Sequence, residues 1–167
     1  TCRDLQQQGG EITYLPVDSD GLVSAADLEA AIRPDTVLVS IMAANNEIGT
    51  VEPFAELAAV CRKKGVFFHT DAVQAIGQIP IDVKKMGIDL LSMSGHKFYG
   101  PKGVGALYVR KGIAIKPFIT GGHQEKGRRA ATENVAGIVG MGTAIELAVK
   151  DLTKNTEHLR MLRDTAI

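Results

Sequence analysis

The spacing of apolar and polar positions along the chain predicts alternating strands and helices. Residues 11–17 set Ile12, Tyr14 and Pro16 against Thr13, Leu15 and Val17, and this alternation reads as a strand. Ser24 then opens a helix. Asp27 follows three residues on as a capping-box partner, and Ala25, Leu28 and Ile32 share one face. Residues 36–42 form an unbroken β-branched and apolar run, the pattern of a strand buried on both faces. Pro53 marks the first turn of another helix and Gly65 its end, with Phe54, Leu57, Ala58 and Cys61 as its apolar stripe. Short strands are predicted over 66–69 and 89–93. A further strand within 104–110 follows after only a Gly/Pro-rich turn, too short for a crossover helix, so it is expected to run antiparallel. From Asn134 onward the pattern is helical, with Ile138, Met141, Ile145, Val149 and Leu152 on one side.

This order of elements implies the α/β class: a three-layer, mostly parallel sheet covered by helices, with one antiparallel strand. The chain has 167 residues, one domain's length, and 45 % apolar against 23 % charged residues, which suits a globular domain rather than a disordered one. Lys plus Arg and Asp plus Glu balance at 19 each, so neither nucleic acid nor a membrane surface is an expected partner. No apolar run approaches the roughly 18 residues of a membrane helix, and no signal-peptide pattern is present. Cys2 and Cys61 cannot form a disulfide framework or a four-cysteine metal site, and no metal is expected. These features lead to the expectation of a cytoplasmic domain. The first eight residues read as the tail of a helix stopped by Gly9-Gly10, and the chain ends within a helical pattern (Leu159, Leu162, Ile167). Residues 1–167 are therefore expected to be one partial domain of a longer protein.

In a parallel sheet, ligands bind beyond the carboxyl ends of the strands. Three such places follow Met42, His69 and Met93, and they hold the chain's most unusual polar residues: Ala44 to Gly49, His69 to Gln74, and Ser92 to Gly103. Lys97, beside His96 in such a crevice, could serve as an amine nucleophile. Asp71, one or two strands away, could hold a cationic ring nitrogen. That is the layout a pyridoxal phosphate (PLP) enzyme needs.

Each residue also has a plainer reading. Lys97 alone is a solvated surface lysine, Asp71 caps the helix after it, and Gln74 is a surface amide. Asn46 serves only the bend, and His96 is a hydrogen-bonded bystander. All of these holding at three adjacent strand ends is the weaker case. Two near-motifs fail. Pro101 stands where a P-loop needs its lysine, and Gly103-Val104-Gly105 lacks the third glycine of a dinucleotide fingerprint and precedes a strand.

The stretches NNEIGT (45–50), HTDAVQ (69–74), SGHKFYGPKGVGALYVR (94–110) and GGHQEKGRRAATENVAGIVG (121–140) closely resemble the cysteine desulfurases, PLP enzymes of the class V aminotransferase group. The likeness runs along essentially the whole chain. It implies the PLP-dependent transferase fold, with residues 1–167 as the central part of the cofactor-binding large domain and with the N-terminal segment and small C-terminal domain outside it. By the same resemblance, Lys97 matches the lysine that binds the cofactor covalently and later moves protons. Asp71 matches the partner of the pyridinium nitrogen. Gln74 and Asn46 match amides near the ring's phenolic oxygen and the substrate carboxylate. Ser94 and His96 match phosphate contacts, and Thr132 a threonine that reaches the phosphate held by a partner subunit, so a homodimer is implied. The implied reaction converts L-cysteine to L-alanine and leaves the sulfur on an enzyme cysteine as a persulfide, for an iron–sulfur scaffold or another acceptor protein.

The chain departs from the family pattern at Ala131, where glycine usually precedes that threonine; if the site needs positive φ, alanine costs about 1 kcal/mol. The family's nucleophilic cysteine, its ring-stacking histidine and its phosphate loop match no position here. Cys61 lies on a helix's apolar stripe and Cys2 in a helix tail without His or Lys nearby, so neither reads as that nucleophile. His69 shares a strand face with Asp71, where it could touch the aspartate, and is expected instead to be buried against the strand. His123 reads as a surface residue, and the charges over 150–163 as a solvated helix face. Alternatives are another class V enzyme, such as a selenocysteine lyase or an aminotransferase, and a non-catalytic module for folding or dimerisation.

Overall fold

The strands come together in the computed structural model, which describes residues 1–167, as a four-stranded sheet in the order β1–β2–β3–β4. β1 (Leu38–Met42), β2 (Phe67–Asp71) and β3 (Leu90–Ser94) run parallel, and β4 (Gly105–Val109) pairs antiparallel with β3. The antiparallel pair lies where the short connection requires it, because a parallel return needs a crossover of a dozen residues or more. A 3-10 turn, Gly95–Phe98, begins that connection.

Seven helical segments flank the sheet: α1 (Cys2–Gln7), α2 (Ala25–Ala31), α3 (Phe54–Lys64), α4 (Val83–Met86), α5 (Gln124–Gly127), α6 (Val135–Lys150) and α7 (Leu152–Ala166). α3 is the crossover between β1 and β2. It starts after Pro53 and stops where Gly65 turns left-handed at φ 73. Phe54, Leu57, Ala58 and Cys61 are all buried and join Val39, Ile41, Phe68, Leu91 and Leu28 of α2 in one core cluster. α2 is capped by Ser24, whose Oγ accepts from the Ala26 and Asp27 N–H groups. No bond returns from Asp27, so the cap is one-sided. No helix is long and apolar enough to cross a membrane.

Residues 11–17 are not a strand: they pair with no neighbour, and Tyr14 and Val17 are 64 % and 58 % exposed. Leu15 still packs against the core cluster, while Pro16 has no N–H to give a ladder. The Leu15 anchor and Arg33, which pairs with Glu11 at 2.7 Å and donates to Thr13 Oγ1 at 3.2 Å, hold this segment in place of a strand ladder. The run at 36–42 is buried on one face only, with Val39 and Ile41 inside and Leu38 and Ser40 exposed. The helices α2 and α3 cover that inner face, and the opposite face is open at Leu38 and Phe67.

The expected stripe after Asn134 is kept in part: Met141, Ile145 and Leu152 are half-buried, whereas Ile138 and Val149 are exposed. The face of α6 that meets the 3-10 turn includes the small residues Gly140 and Ala144. A Cβ added at Gly140 would lie 2.7 Å from the Pro101 ring, and one added at Gly100 would lie 3.3 Å from Ala144. Close approach of helix and turn selects the smallest residues, whereas the spacing rule points to the largest.

Candidate functional site

Because β1, β2 and β3 are parallel, their carboxyl ends open on the same edge of the sheet, the edge where α/β proteins bind ligands. Both β2 and β3 run further than the sequence suggests, so Asp71 and Ser94 are the last residues of strands. Asp71 stands opposite Met42 on one side and Ser92 on the other. Since successive strand residues alternate sides, Ser40, His69, Asp71, Ser92 and Ser94 lie on the face away from α3.

Asp71 uses Oδ1 to accept the Val73 N–H at 3.0 Å and leaves Oδ2 without a partner. The chain after it runs through turns rather than a regular helix, so the capping role shrinks to this one bond. Gln74 is half-buried three residues on and makes no side-chain hydrogen bond. Ser94 Oγ lies 2.8 Å from His96 Nδ1, which fixes both side chains at the end of β3.

Lys97 sits in the 3-10 turn just beyond β3, exposed and without an ion-pair or hydrogen-bond partner. Its neighbour Phe98 is 1 % exposed and anchors the turn; Tyr99 ends it at φ 66. Lys97 and Asp71 therefore lie at the same edge of the sheet, beyond neighbouring strands.

Beyond β1, Asn45 makes the bend. Its Oδ1 accepts from both Glu47 N–H and Ile48 N–H, at 2.8 and 3.0 Å. Asn46, given the bend as its plainer reading, is left exposed with its amide free. Thr132 is exposed and free as well, and Ala131 before it holds φ 85. The positive φ at the departure from the family pattern is therefore present.

His69 does more than pack. Its Nδ1 lies 2.8 Å from Ser40 Oγ and its Nε2 2.9 Å from Ser92 Oγ. Burial pushes the imidazole below its ordinary pKa, with the Asp71 charge pulling the other way. Sequence reasoning missed Ser40 and Ser92 as its partners. The available signal was a serine at an outward position in each flanking apolar strand.

Cys61 is fully buried, and burial followed by the charge of Asp89 pushes its thiol up to about 11, so it is no nucleophile. Cys2 is exposed on α1, and both cysteines are free. No group of three or more His, Cys, Asp or Glu could hold a metal ion. A groove of about 930 Å³ lies between the 3-10 turn and α6 and α7, along Phe98, Tyr99, Pro101, Leu147 and Leu159. None of the polar strand-end side chains lines it.

An unpaired amine, a carboxylate with one oxygen free, two free amide side chains and a hydroxyl–imidazole pair thus gather at one sheet edge. This donor set suits a phosphorylated, cationic aromatic aldehyde better than a metal ion, which would need converging carboxylates, thiolates or imidazoles.

The protein-family model described as aminotransferase class-V matches residues 1–167. A cysteine desulfurase IscS of Dictyoglomus turgidum is 60 % identical over 163 residues, covering 98 % of this chain and 41 % of that protein. A solved structure described as a NifS-like protein superposes with a TM-score of 0.95 at 47 % identity, over 98 % of this chain and 46 % of that one. Another, described as SspA in complex with cysteine, superposes with a TM-score of 0.84 at 48 % identity, over 87 % of this chain and 42 % of that one. The chain spans about two-fifths of the length of the first of these and less than half of the others. With every residue of the chain inside the family match and the expected sheet in place, the chain belongs to the class-V aminotransferase family.

Proposed function

We infer that residues 1–167 are the central, cofactor-binding part of the large domain of a longer PLP-dependent cysteine desulfurase. That enzyme would take L-cysteine, transfer its sulfur to a cysteine thiolate as a persulfide, and release L-alanine. The observation that carries the reading is that an unpartnered Lys97 amine and an Asp71 carboxylate with one oxygen free both lie beyond the carboxyl ends of neighbouring parallel strands. The names of the relatives support the same activity.

Pyridoxal phosphate, when bound, supplies an electron sink for negative charge developing at the substrate Cα. In this reading Lys97 Nζ binds the cofactor covalently and later moves the proton at Cα. Asp71 keeps a proton on the ring nitrogen, because its negative charge favours the cation beside it. Gln74 and Asn46 orient the ring oxygen and the substrate carboxylate with their free amides. Ser94 and His96 hold the phosphate, and Thr132 reaches the phosphate of a partner subunit in a homodimer. The acceptor cysteine belongs to the remainder of the enzyme, and an iron–sulfur scaffold or another acceptor protein would take the sulfur onward. Two free cysteines suit a reducing compartment such as the cytoplasm.

The test is borohydride reduction of the PLP-loaded protein followed by peptide mapping. The expected product carries a pyridoxyl group on Lys97, and a label on any other lysine overturns the assignment. This chain with PLP alone is expected to release no alanine from cysteine, since neither of its cysteines suits the acceptor role.

A further inference from the structure

A line of hydrogen bonds runs sideways across the three parallel strands beside Asp71. His69 on β2 bridges Ser40 on β1 at 2.8 Å and Ser92 on β3 at 2.9 Å. Ser40 is the ladder partner of His69, and Ser92 is the ladder partner of Asp71. The line therefore ends on the residue that flanks the carboxylate. Its neighbours on the same open face, Leu38 and Phe67, are apolar. Backbone pairing already joins the strands here, so three interlocked polar side chains are not needed to hold the sheet.

We propose that the Ser40–His69–Ser92 bridge is a positioning device for Asp71, holding its strand end at the place where the carboxylate meets the cofactor's ring nitrogen; this rests on the functional reading above. The imidazole links the two hydroxyls and fixes the polar side chains that flank Asp71. Partial burial disfavours the charged ring, and the Asp71 charge opposes that push. An uncharged imidazole has one donor and one acceptor nitrogen, so one serine hydroxyl donates a hydrogen bond to it and the other accepts one from it. Both demands are met without drawing on Asp71, whose charge stays available for a cationic ring. A charged imidazole would instead compete for that carboxylate.

The experiment uses the full-length parent enzyme with His69→Leu, which removes the bridge, and His69→Gln, which keeps a donor and an acceptor. The readouts are melting of the cofactor-free enzyme, the Kd for PLP, and the wavelength of the bound cofactor's visible absorption band. His69→Leu is expected to weaken PLP binding by roughly tenfold, the size of loss seen when residues that orient a metal's ligands are removed, and to displace the band. His69→Gln is expected to stay near wild type in both. If His69→Leu fails to fold, the Ser40→Ala/Ser92→Ala double variant carries the same expectation. A folded variant without the bridge that matches wild type in affinity and band overturns the proposal. Equal damage in both His69 variants also overturns it, because the loss would then follow ring packing and not hydrogen bonding. Failure of the wild-type enzyme to bind PLP would instead sink the functional reading and leave this proposal without an object.

Discussion

Arg110 donates its Nε–H to Asp89 Oδ1 at 2.6 Å, while Asp89 Oδ2 accepts the Phe68 N–H at 2.9 Å. One carboxylate thus ties the start of β2 to the end of β4, at the edge of the sheet away from Lys97. The Asp89 side chain is 13 % exposed and that of Arg110 50 %. Asp89→Ala is expected to cost about 2–3 kcal/mol, because it strands a half-buried N–H and a guanidinium together. Arg110→Ala is expected to cost about 1 kcal/mol or less, since solvent screens the pair and the Phe68 bond survives. Urea unfolding of the two variants checks this. Equal losses would show that the ion pair, and not the Phe68 bond, carries the effect.

Ala131 holds φ 85 in an exposed loop, a region where a Cβ is penalised. Ala131→Gly relieves that strain but loosens the unfolded chain, so a net gain of about 0.5–1 kcal/mol is expected. A rise in the urea midpoint with unchanged slope is the confirming result; a fall would mean that Ala131 sits comfortably.

The two thiols differ sharply in reactivity. Cys2 is exposed, whereas Cys61 is buried with its thiol pushed up to about 11. At pH 8 a disulfide reagent is expected to modify Cys2 quickly and Cys61 only after denaturation. Rapid modification of both under native conditions would contradict the packing of α3 described above.

The depressed pKa of His69 gives a signed dependence on pH. The unfolded chain takes up a proton near the ordinary value of 6.5, and the folded chain does so only at lower pH. Stability is then complete above 6.5 and declines as pH falls from there toward the folded value, where the unfolded state binds more protons. Melting curves of wild type and His69→Gln between about pH 5.5 and 7.5 should show a steeper acid-side loss for wild type. Parallel profiles would mean that His69 titrates alike in both states.

Some of this molecule could be read before any coordinates. Pro53, Gly65 and the stripe between them define α3 because caps and a core-facing stripe are local facts about one helix. The short Gly/Pro connection reveals β4 as antiparallel through chain length alone. Asp71 and Lys97 could be assigned to one edge because parallel strands end together. What escaped depends on neighbours. The alternation over 11–17 could not announce that no strand lies beside it. The apolar run over 36–42 could not say that helices cover one side only. Ser40 and Ser92 gain their meaning from register with His69, and register is a property of three strands at once. The contact face of α6 was hidden because hydrophobic spacing rewards bulk, while that contact depends on its lack.

That last contact has a wider consequence. Gly140 and Ala144 press on Gly100 and Pro101, next to the turn that carries Lys97. A methyl group at position 140 would meet the proline ring at 2.7 Å and would have to shove either the helix or the turn. The position of the turn that carries Lys97 is thus braced from behind, by a seam of small residues. A mild-looking enlargement there would displace that turn without altering any side chain at the strand ends.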